Sequence, residues 1–158
     1  MAVKRSAGLL LFRRRSTGTE VLIGHMGGPF WEARDAAAWS VPKGEYTPEE
    51  EPMAAARREF EEELGLAPPE GEWAPLGEAR QPGGKIVTVW ALERDLDTDR
   101  VVPGTFTMEW PMRSGRMQEF PEIDRAEWTG MDEARQKLVP GQRVFLDRLE
   151  ELLDTFQR

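Results

Sequence analysis

Two short apolar runs, residues 7–12 and 20–26, flank the turn-forming Ser16-Thr17-Gly18, which predicts a β-hairpin. Gly27-Gly28-Pro29 then opens an irregular loop to about residue 38, followed by a short extended piece over 39–42. Over 54–64 the apolar spacing changes to the helical period, with Gly65 placed as a C-cap. The start of this helix has two readings. Thr47-Pro48-Glu49-Glu50 has the form of a capping box with proline at the first helical position. A helix begun there would lose a backbone hydrogen bond at Pro52, which favours a regular helix starting at Pro52 itself. Further strands are predicted over 73–80 and 85–93, split by Pro82-Gly83-Gly84, then over 105–110 and, after a polar loop, 126–129. The chain ends in helices over 132–138 and 144–156. In the second, Phe145, Leu149, Leu152, Leu153 and Phe156 share one apolar stripe that docks on the domain rather than on a partner. Trp73, Trp90, Trp110 and Trp128 fall on predicted strands and are assigned to packing.

The polar side of the 54–64 helix departs from the usual mixture of charges. At about 100° per residue, with Glu59 at zero, Glu62 lies near −60° and Glu63 near +40°, so three carboxylates share one arc. Phe60, Leu64 and Met53 form the neighbouring apolar edge, and Glu61 points away. Like charges at this spacing destabilise a helix by a few tenths of a kcal/mol per pair, about the amount an opposite pair would contribute. The same crowding dominates the chain's charge. Between residues 45 and 63, eight acids face only Arg57 and Arg58, so this segment holds −6 of the net −8. Such a face expects a cation, and clustered carboxylates match a hard, oxygen-preferring ion such as Mg²⁺.

Composition narrows the classes further. A chain of 158 residues with 39% hydrophobic and 32% charged residues is read as one folded domain over 1–158. The absence of cysteine excludes disulfides, thiolate ligands and a cysteine nucleophile. No run of about 18 apolar residues could span a membrane, and Met1-Ala2-Val3-Lys4-Arg5 has no apolar stretch of the kind a secretory signal needs, so a cytoplasmic location is expected. An acidic chain is a poor binder of long nucleic acids, whose backbone affinity comes from Lys and Arg. Pro82-Gly83-Gly84-Lys85 is no phosphate-binding P-loop, because the earlier glycine is missing and Ile86 replaces the required Ser or Thr. His25, the one histidine, ends an apolar strand and is assigned a packing or hydrogen-bonding role.

The spacing of the acidic segment carries more information than its charge. Gly44, then Glu50, then Arg58-Glu59-Phe60-Glu61-Glu62-Glu63-Leu64-Gly65-Leu66 reads G-x5-E-x7-R-E-U-x-E-E-x-G-U, with U apolar. Over residues 44–66 this resembles the Nudix (MutT-like) box at every defined position. The resemblance implies the Nudix fold, an α/β architecture with a mixed β-sheet sandwiched between helices. It also implies hydrolysis of a pyrophosphate link in nucleoside diphosphate-linked compounds, with Mg²⁺ or Mn²⁺. Carried over position by position, Glu59, Glu62 and Glu63 hold the metal and Glu59 helps to deprotonate water, with the carbonyl near Gly44 as a further ligand. Glu50 pairs with Arg58 and holds the loop against the helix, Gly44 permits a tight turn, and Gly65 ends the helix. One more carboxylate from a later loop is expected, with Glu122 favoured over Glu119 because it lies six residues before Trp128.

Outside the box, Trp39-Ser40-Val41-Pro42-Lys43-Gly44 resembles the W-x-x-P-K-G entry of the diadenosine-polyphosphate hydrolase branch, which makes dinucleoside polyphosphates the favoured substrates. Glu49-Glu50-Glu51-Pro52 is similar to the diphosphoinositol-polyphosphate branch. Nucleoside triphosphates, sugar nucleotides and RNA 5′ ends are further alternatives, and a non-catalytic nucleotide-sensing module is the reading from another class. Lys43 and Lys85 are candidate phosphate contacts, joined by Arg113 and Arg116. Trp31, with Phe30 beside it, is a candidate for stacking on a base. The expected partner is a small nucleotide or polyphosphate, with no membrane involved; both monomer and homodimer are open.

Overall fold

Residues 7–12 are apolar without alternation because the strand they belong to is covered on both faces. In a computed structural model that describes residues 3–156, β1 (Arg5–Arg15) directs Leu9 and Leu11 into one buried cluster with Phe60 and Leu64. Leu10 and Phe12 enter a second cluster with Phe145, Leu146 and Leu149. The first cluster lies under α1 (Pro52–Leu64) and the second under α3 (Arg143–Phe156). The result is a sheet between helices, the α/β/α arrangement expected.

β1 forms the expected hairpin with β2 (Gly18–Met26), antiparallel from Phe12↔Val21 to Arg15↔Gly18. On its other side β1 runs parallel to β6 (Ile86–Glu93), which pairs antiparallel with the edge strand β5 (Ala74–Arg80). Toward the opposite edge, β2 carries the two-residue β3 (Trp39–Ser40) and the long β9 (Ile123–Gly130). The sheet is therefore mixed and seven-stranded, with β4 (Lys43–Tyr46) paired to the first half of β1. A separate two-stranded sheet is made by β7 (Thr105–Glu109) and β8 (Met117–Pro121). α2 (Met131–Lys137) follows β9 directly.

Of the two helix starts open in the sequence, the structure has the one favoured: α1 begins at Pro52, with Glu51 as an N-cap that makes no side-chain hydrogen bond, and Thr47 closes a turn, its carbonyl accepting the Glu50 N–H at 3.0 Å. Other elements differ from the sequence reading. The segment read as a polar loop before residue 126 contains β8. Its Met117, Gln118 and Glu119 are all exposed, so no buried period marks them, and the strand is defined by its pairing with β7. Trp73 and Trp110 lie one residue outside β5 and β7, although Trp73, Trp90 and Trp128 do pack on the cluster under α1. In α3, Phe145, Leu149 and Leu153 are buried; the Phe156 side chain lies outside the described residues, as do Met1 and Ala2. No helix among the described residues is long and apolar enough to cross a membrane.

Candidate metal and phosphate site

Small residues let α1 carry acids on its inward side. Ala55 and Ala56 are fully buried against Ala7 of β1, which brings the helix close to the sheet. Around the helix axis, Glu59 and Glu63 fall between Ala55 and Ala56, next to the buried Phe60 and Leu64, so both carboxylates sit within the buried arc. Glu62 lies just outside it and is exposed, as is Glu61 on the far side. Burial has the expected electrostatic consequence. The Glu59 carboxyl is pushed above its ordinary range by desolvation, against the lowering effect of Arg58 and with the neighbouring charges of Glu62 and Glu122 adding to the rise. Glu63, deeper still, is pushed up to about 8, again chiefly by desolvation.

Gly44 is needed here for a different reason from the tight turn expected of it. It lies within β4, opposite Ala7 of β1, and has no left-handed backbone. A Cβ at this position would stand 2.0 Å from the Glu59 carboxyl, so glycine is what lets Glu59 reach the strand's backbone. Next to it, the Lys43 N–H donates to Glu63 Oε2 at 3.3 Å. The first strand of the motif and the helix are thus joined by the two half-buried acids.

Arg58 organises the other side. Its Nε and Nη2 donate to the two Glu50 oxygens, both at 2.9 Å, a two-pronged pair that fixes the loop before α1 to the helix. Nη1 donates to Glu59 Oε1 at 2.8 Å and to both Glu62 oxygens at 3.2 Å, while Nη2 also reaches the Glu45 carbonyl at 3.3 Å. These contacts hold Glu50 below the usual carboxylate range and raise Arg58 above its own. Among the described residues no three acidic groups already stand as a ready-made metal cluster, and Arg58 bonds to both Glu59 and Glu62. The donor chemistry nevertheless fits a hard divalent cation: several carboxylate oxygens and a backbone carbonyl beside Gly44, with no nitrogen or sulfur ligand among them.

Glu122 and Glu119 separate clearly. Glu122 sits between β8 and β9, its N–H donating to the Gly104 carbonyl at 2.8 Å and its carbonyl accepting from the Gly27 N–H at 3.0 Å. Its half-buried carboxyl is raised by desolvation and by the charge of Glu62, and it in turn raises Glu59 and Glu63. It therefore shares one electrostatic neighbourhood with the acids of α1. Glu119 is exposed on β8, opposite Thr107.

The candidate substrate contacts divide as well. Lys43 is half-buried, and burial pushes its ammonium group down despite the nearby charges of Glu63, Glu45 and Glu59. Lys85 stands near it but is held by Glu45 at 2.8 Å. Trp31 packs against the cluster under α3, with Arg34 over its ring, whereas its neighbour Phe30 is 53% exposed. Arg113 and Arg116 are exposed in the turn of the β7–β8 hairpin, and neither forms an ion pair among the described residues. His25 has the structural role expected of it. Its ring is buried edge-on to Trp39, Nε2–H donates to the Arg34 carbonyl at 2.6 Å, and Nδ1 lies 2.9 Å from both Asp124 oxygens. Asp124, the partner that ties this loop to β9, carries no signal in the sequence that separates it from other surface acids.

Comparisons with known proteins bear on the family and the fold. A family model described as NUDIX domain matches residues 3–149. An Ap4A hydrolase from C. elegans, solved as a binary complex, is 19% identical with a TM-score of 0.66, covering 95% of this chain and 98% of its own. The NUDIX domain of Shewanella oneidensis NrtR, complexed with ADP ribose, is 14% identical with a TM-score of 0.61 over 97% of this chain and 90% of its own. RenU, a Nudix hydrolase from M. smegmatis, is 23% identical with a TM-score of 0.56 over 95% of this chain and 85% of its own. At these identities the structural likeness is one of fold. A comparison with curated proteins returns no match.

Proposed function

The chain belongs to the Nudix family of hydrolases, and from that premise we propose that it cleaves a pyrophosphate link in nucleotide polyphosphates with Mg²⁺, dinucleoside polyphosphates such as diadenosine tetraphosphate being favoured. The observation that carries this reading is the placement of Glu59 and Glu63 within the buried arc of α1, with Glu122 in the same electrostatic neighbourhood. Buried carboxylates with raised proton affinity and no full complement of cationic partners are costly to keep unless a cation is their working partner. Glu59, Glu62, Glu63 and Glu122, with the carbonyl beside Gly44, would hold the metal. Mn²⁺ suits the same oxygen set.

A bound divalent cation supplies charge neutralisation for the phosphate oxygens and lowers the pKa of the attacking water. The chain's own groups do the rest. Glu59, raised above the ordinary carboxylate range by desolvation, would take a proton from the attacking water. Arg58, anchored through both nitrogens by Glu50, keeps Glu59 oriented. Lys43 at the start of β4 and Lys85 near it would meet the phosphates as point charges. The W-x-x-P-K-G segment leading into the site favours the dinucleoside polyphosphates among possible substrates.

The test is a substrate panel compared by kcat/KM: diadenosine polyphosphates, canonical and oxidised triphosphates, ADP-ribose, sugar nucleotides, diphosphoinositols and triphosphorylated RNA. Diadenosine tetraphosphate is expected to rank first. If it ranks well below ADP-ribose or simple triphosphates, the substrate assignment is wrong.

Metal affinity is also expected to depend on pH. Glu63 is mostly protonated in the folded apo-protein below about pH 8, and a metal ligand must give up its proton. The Kd for Mg²⁺ should therefore fall as pH rises from 6 to 8, by up to about tenfold per pH unit, and flatten above. Calorimetric titration at three pH values measures this; an affinity that is flat across the range would contradict the assignment of Glu63.

A further inference from the structure

The chain crosses between two strands of the sheet just before the acidic site, and it does so in the interior. β3 ends at Ser40 on β2, and β4 begins at Lys43 on β1. The two linking residues, Val41 and Pro42, are buried and belong to neither strand. Buried backbone off the ladder must find other hydrogen-bond partners. Pro42 has no N–H to satisfy, and its carbonyl accepts from the Leu9 N–H at 3.1 Å. Val41 takes both of its partners from side chains. Its N–H donates to Gln142 Oε1 and its carbonyl accepts from the Ser40 hydroxyl, each at 2.8 Å. Gln142 Nε2 then donates to Ser40 Oγ at 2.9 Å, which closes a ring of bonds around Val41. A carboxamide suits this seat because it offers an acceptor and a donor without a charge, and Gln142 is only 1% exposed.

Gln142 is itself held from both sides. It ends the 3₁₀ turn Pro140–Gln142 between α2 and α3, just ahead of the fully buried Phe145 and Leu146. Before the turn, the Val139 N–H donates to the Trp39 carbonyl at 3.0 Å. Within it, the Gly141 carbonyl accepts from Gln81 Nε2 at 2.8 Å, and a Cβ on Gly141 would collide with the Gln81 carboxamide. The turn thus ties the crossing to the helical core and to the β5–β6 hairpin. What the crossing delivers is the seat of two acids. Directly after Pro42, the Lys43 N–H meets Glu63 Oε2 at 3.3 Å, and Gly44 lies against the Glu59 carboxyl.

We propose that Gln142 is a positioning residue of the metal site: through Val41 and Ser40 it holds the backbone at Lys43 and Gly44 where Glu63 and Glu59 meet it. The inference rests on the metal-dependent reading above and deepens it, extending the site to a buried side chain far outside residues 44–66. Gln142 touches neither acid. A displaced crossing would carry the carbonyl beside Gly44 and the seats of both carboxylates out of register, so metal affinity should fall although every ligand is still present.

Calorimetric titration of the full chain with Mg²⁺, in the absence of substrate, reads the effect. Gln142→Met has similar length and neither hydrogen bond; it should raise the Kd by about 5- to 10-fold, at the low end of what outer partners of metal ligands contribute. Ser40→Ala removes the hydroxyl but leaves the Val41–Gln142 bond, and it should shift the Kd the same way by about two- to fivefold. Leu149→Val trims the core under α3 away from this ring; it should lower the thermal midpoint and leave the Kd within about twofold of the wild type. An unchanged Kd in Gln142→Met would overturn the inference, and Ser40→Ala decides in the same way if Gln142→Met does not fold. An equal loss of affinity in Leu149→Val would overturn it too, because general loosening would then explain the change. Failure of the underlying reading looks different: a wild type that binds no Mg²⁺ refutes the metal site, and this inference with it.

Discussion

Replacing Glu62 or Glu63 by glutamine is expected to lower kcat by about 100-fold or more, equivalent to about 2.7 kcal/mol or more of transition-state stabilisation, while the protein stays folded. The two substitutions probe different surroundings. Glu62 is exposed and, among the described residues, its carboxylate hydrogen-bonds only to Arg58, so its loss should leave the thermal midpoint nearly unchanged. Glu63 is half-buried and its proton affinity is raised in the folded state, chiefly by desolvation. Such a group costs the fold nothing at low pH, where it is protonated whether folded or not. The cost grows as pH rises from the unfolded value toward about 8, because unfolding then permits ionisation in water. At pH 8 without metal, Glu63→Gln should therefore be at least as stable as the wild type, and Mg²⁺ should raise its midpoint far less than the wild type's. Steady-state kinetics and thermal melts with and without Mg²⁺ measure both effects. Near-full Mg²⁺-dependent activity in both variants would remove the carboxylates from the metal site.

Gly44→Ala should be nearly as damaging to turnover although it adds one methyl group. The new Cβ would collide with the Glu59 carboxyl, the far end of a flexible side chain, rather than with backbone. Glu59 can swing away, so the fold should persist with a stability change of about 1 kcal/mol or less. The cost falls on function: Glu59 loses its seat against β4, and kcat should drop by about 10- to 100-fold with weakened Mg²⁺ affinity. Wild-type kinetics in a folded Gly44→Ala protein would show that the close approach of Glu59 to β4 has no functional role.

The same two residues show what a single sequence can and cannot convey. The identity of Gly44 and its distance from Glu59 are plain in the motif, whereas its structural reason is not. The motif read as a turn, while the glycine lies in a strand whose partner helix comes within contact. Similarly, the arc of Glu59, Glu62 and Glu63 follows from helical geometry alone. That Glu59 and Glu63 face inward depends on Ala55 and Ala56 packing on Ala7, a tertiary contact that apolar periodicity cannot weigh, since alanine contributes little to it. The β1–β2 hairpin is legible because two apolar runs flank Ser16-Thr17-Gly18; that both faces of β1 are covered, the reason its apolar run is unbroken, emerges only from the packing. β8 was hidden because its first three residues are exposed and follow no buried alternation, and only pairing with β7 defines it. Among the aromatics, sequence order alone could not distinguish Trp31 from Phe30. The loop packs part of the first against the core and leaves the second exposed beside Trp110.

The most direct test of the central claim, that the acids of α1 serve a metal-dependent attack on a pyrophosphate link, is metal depletion and restoration. Protein stripped by chelation is assayed with diadenosine tetraphosphate while Mg²⁺ is added back. Turnover is expected to be absent in the stripped protein and to return with Mg²⁺ in the wild type but not in Glu63→Gln. Turnover that survives chelation, or returns equally in both proteins, would contradict the account.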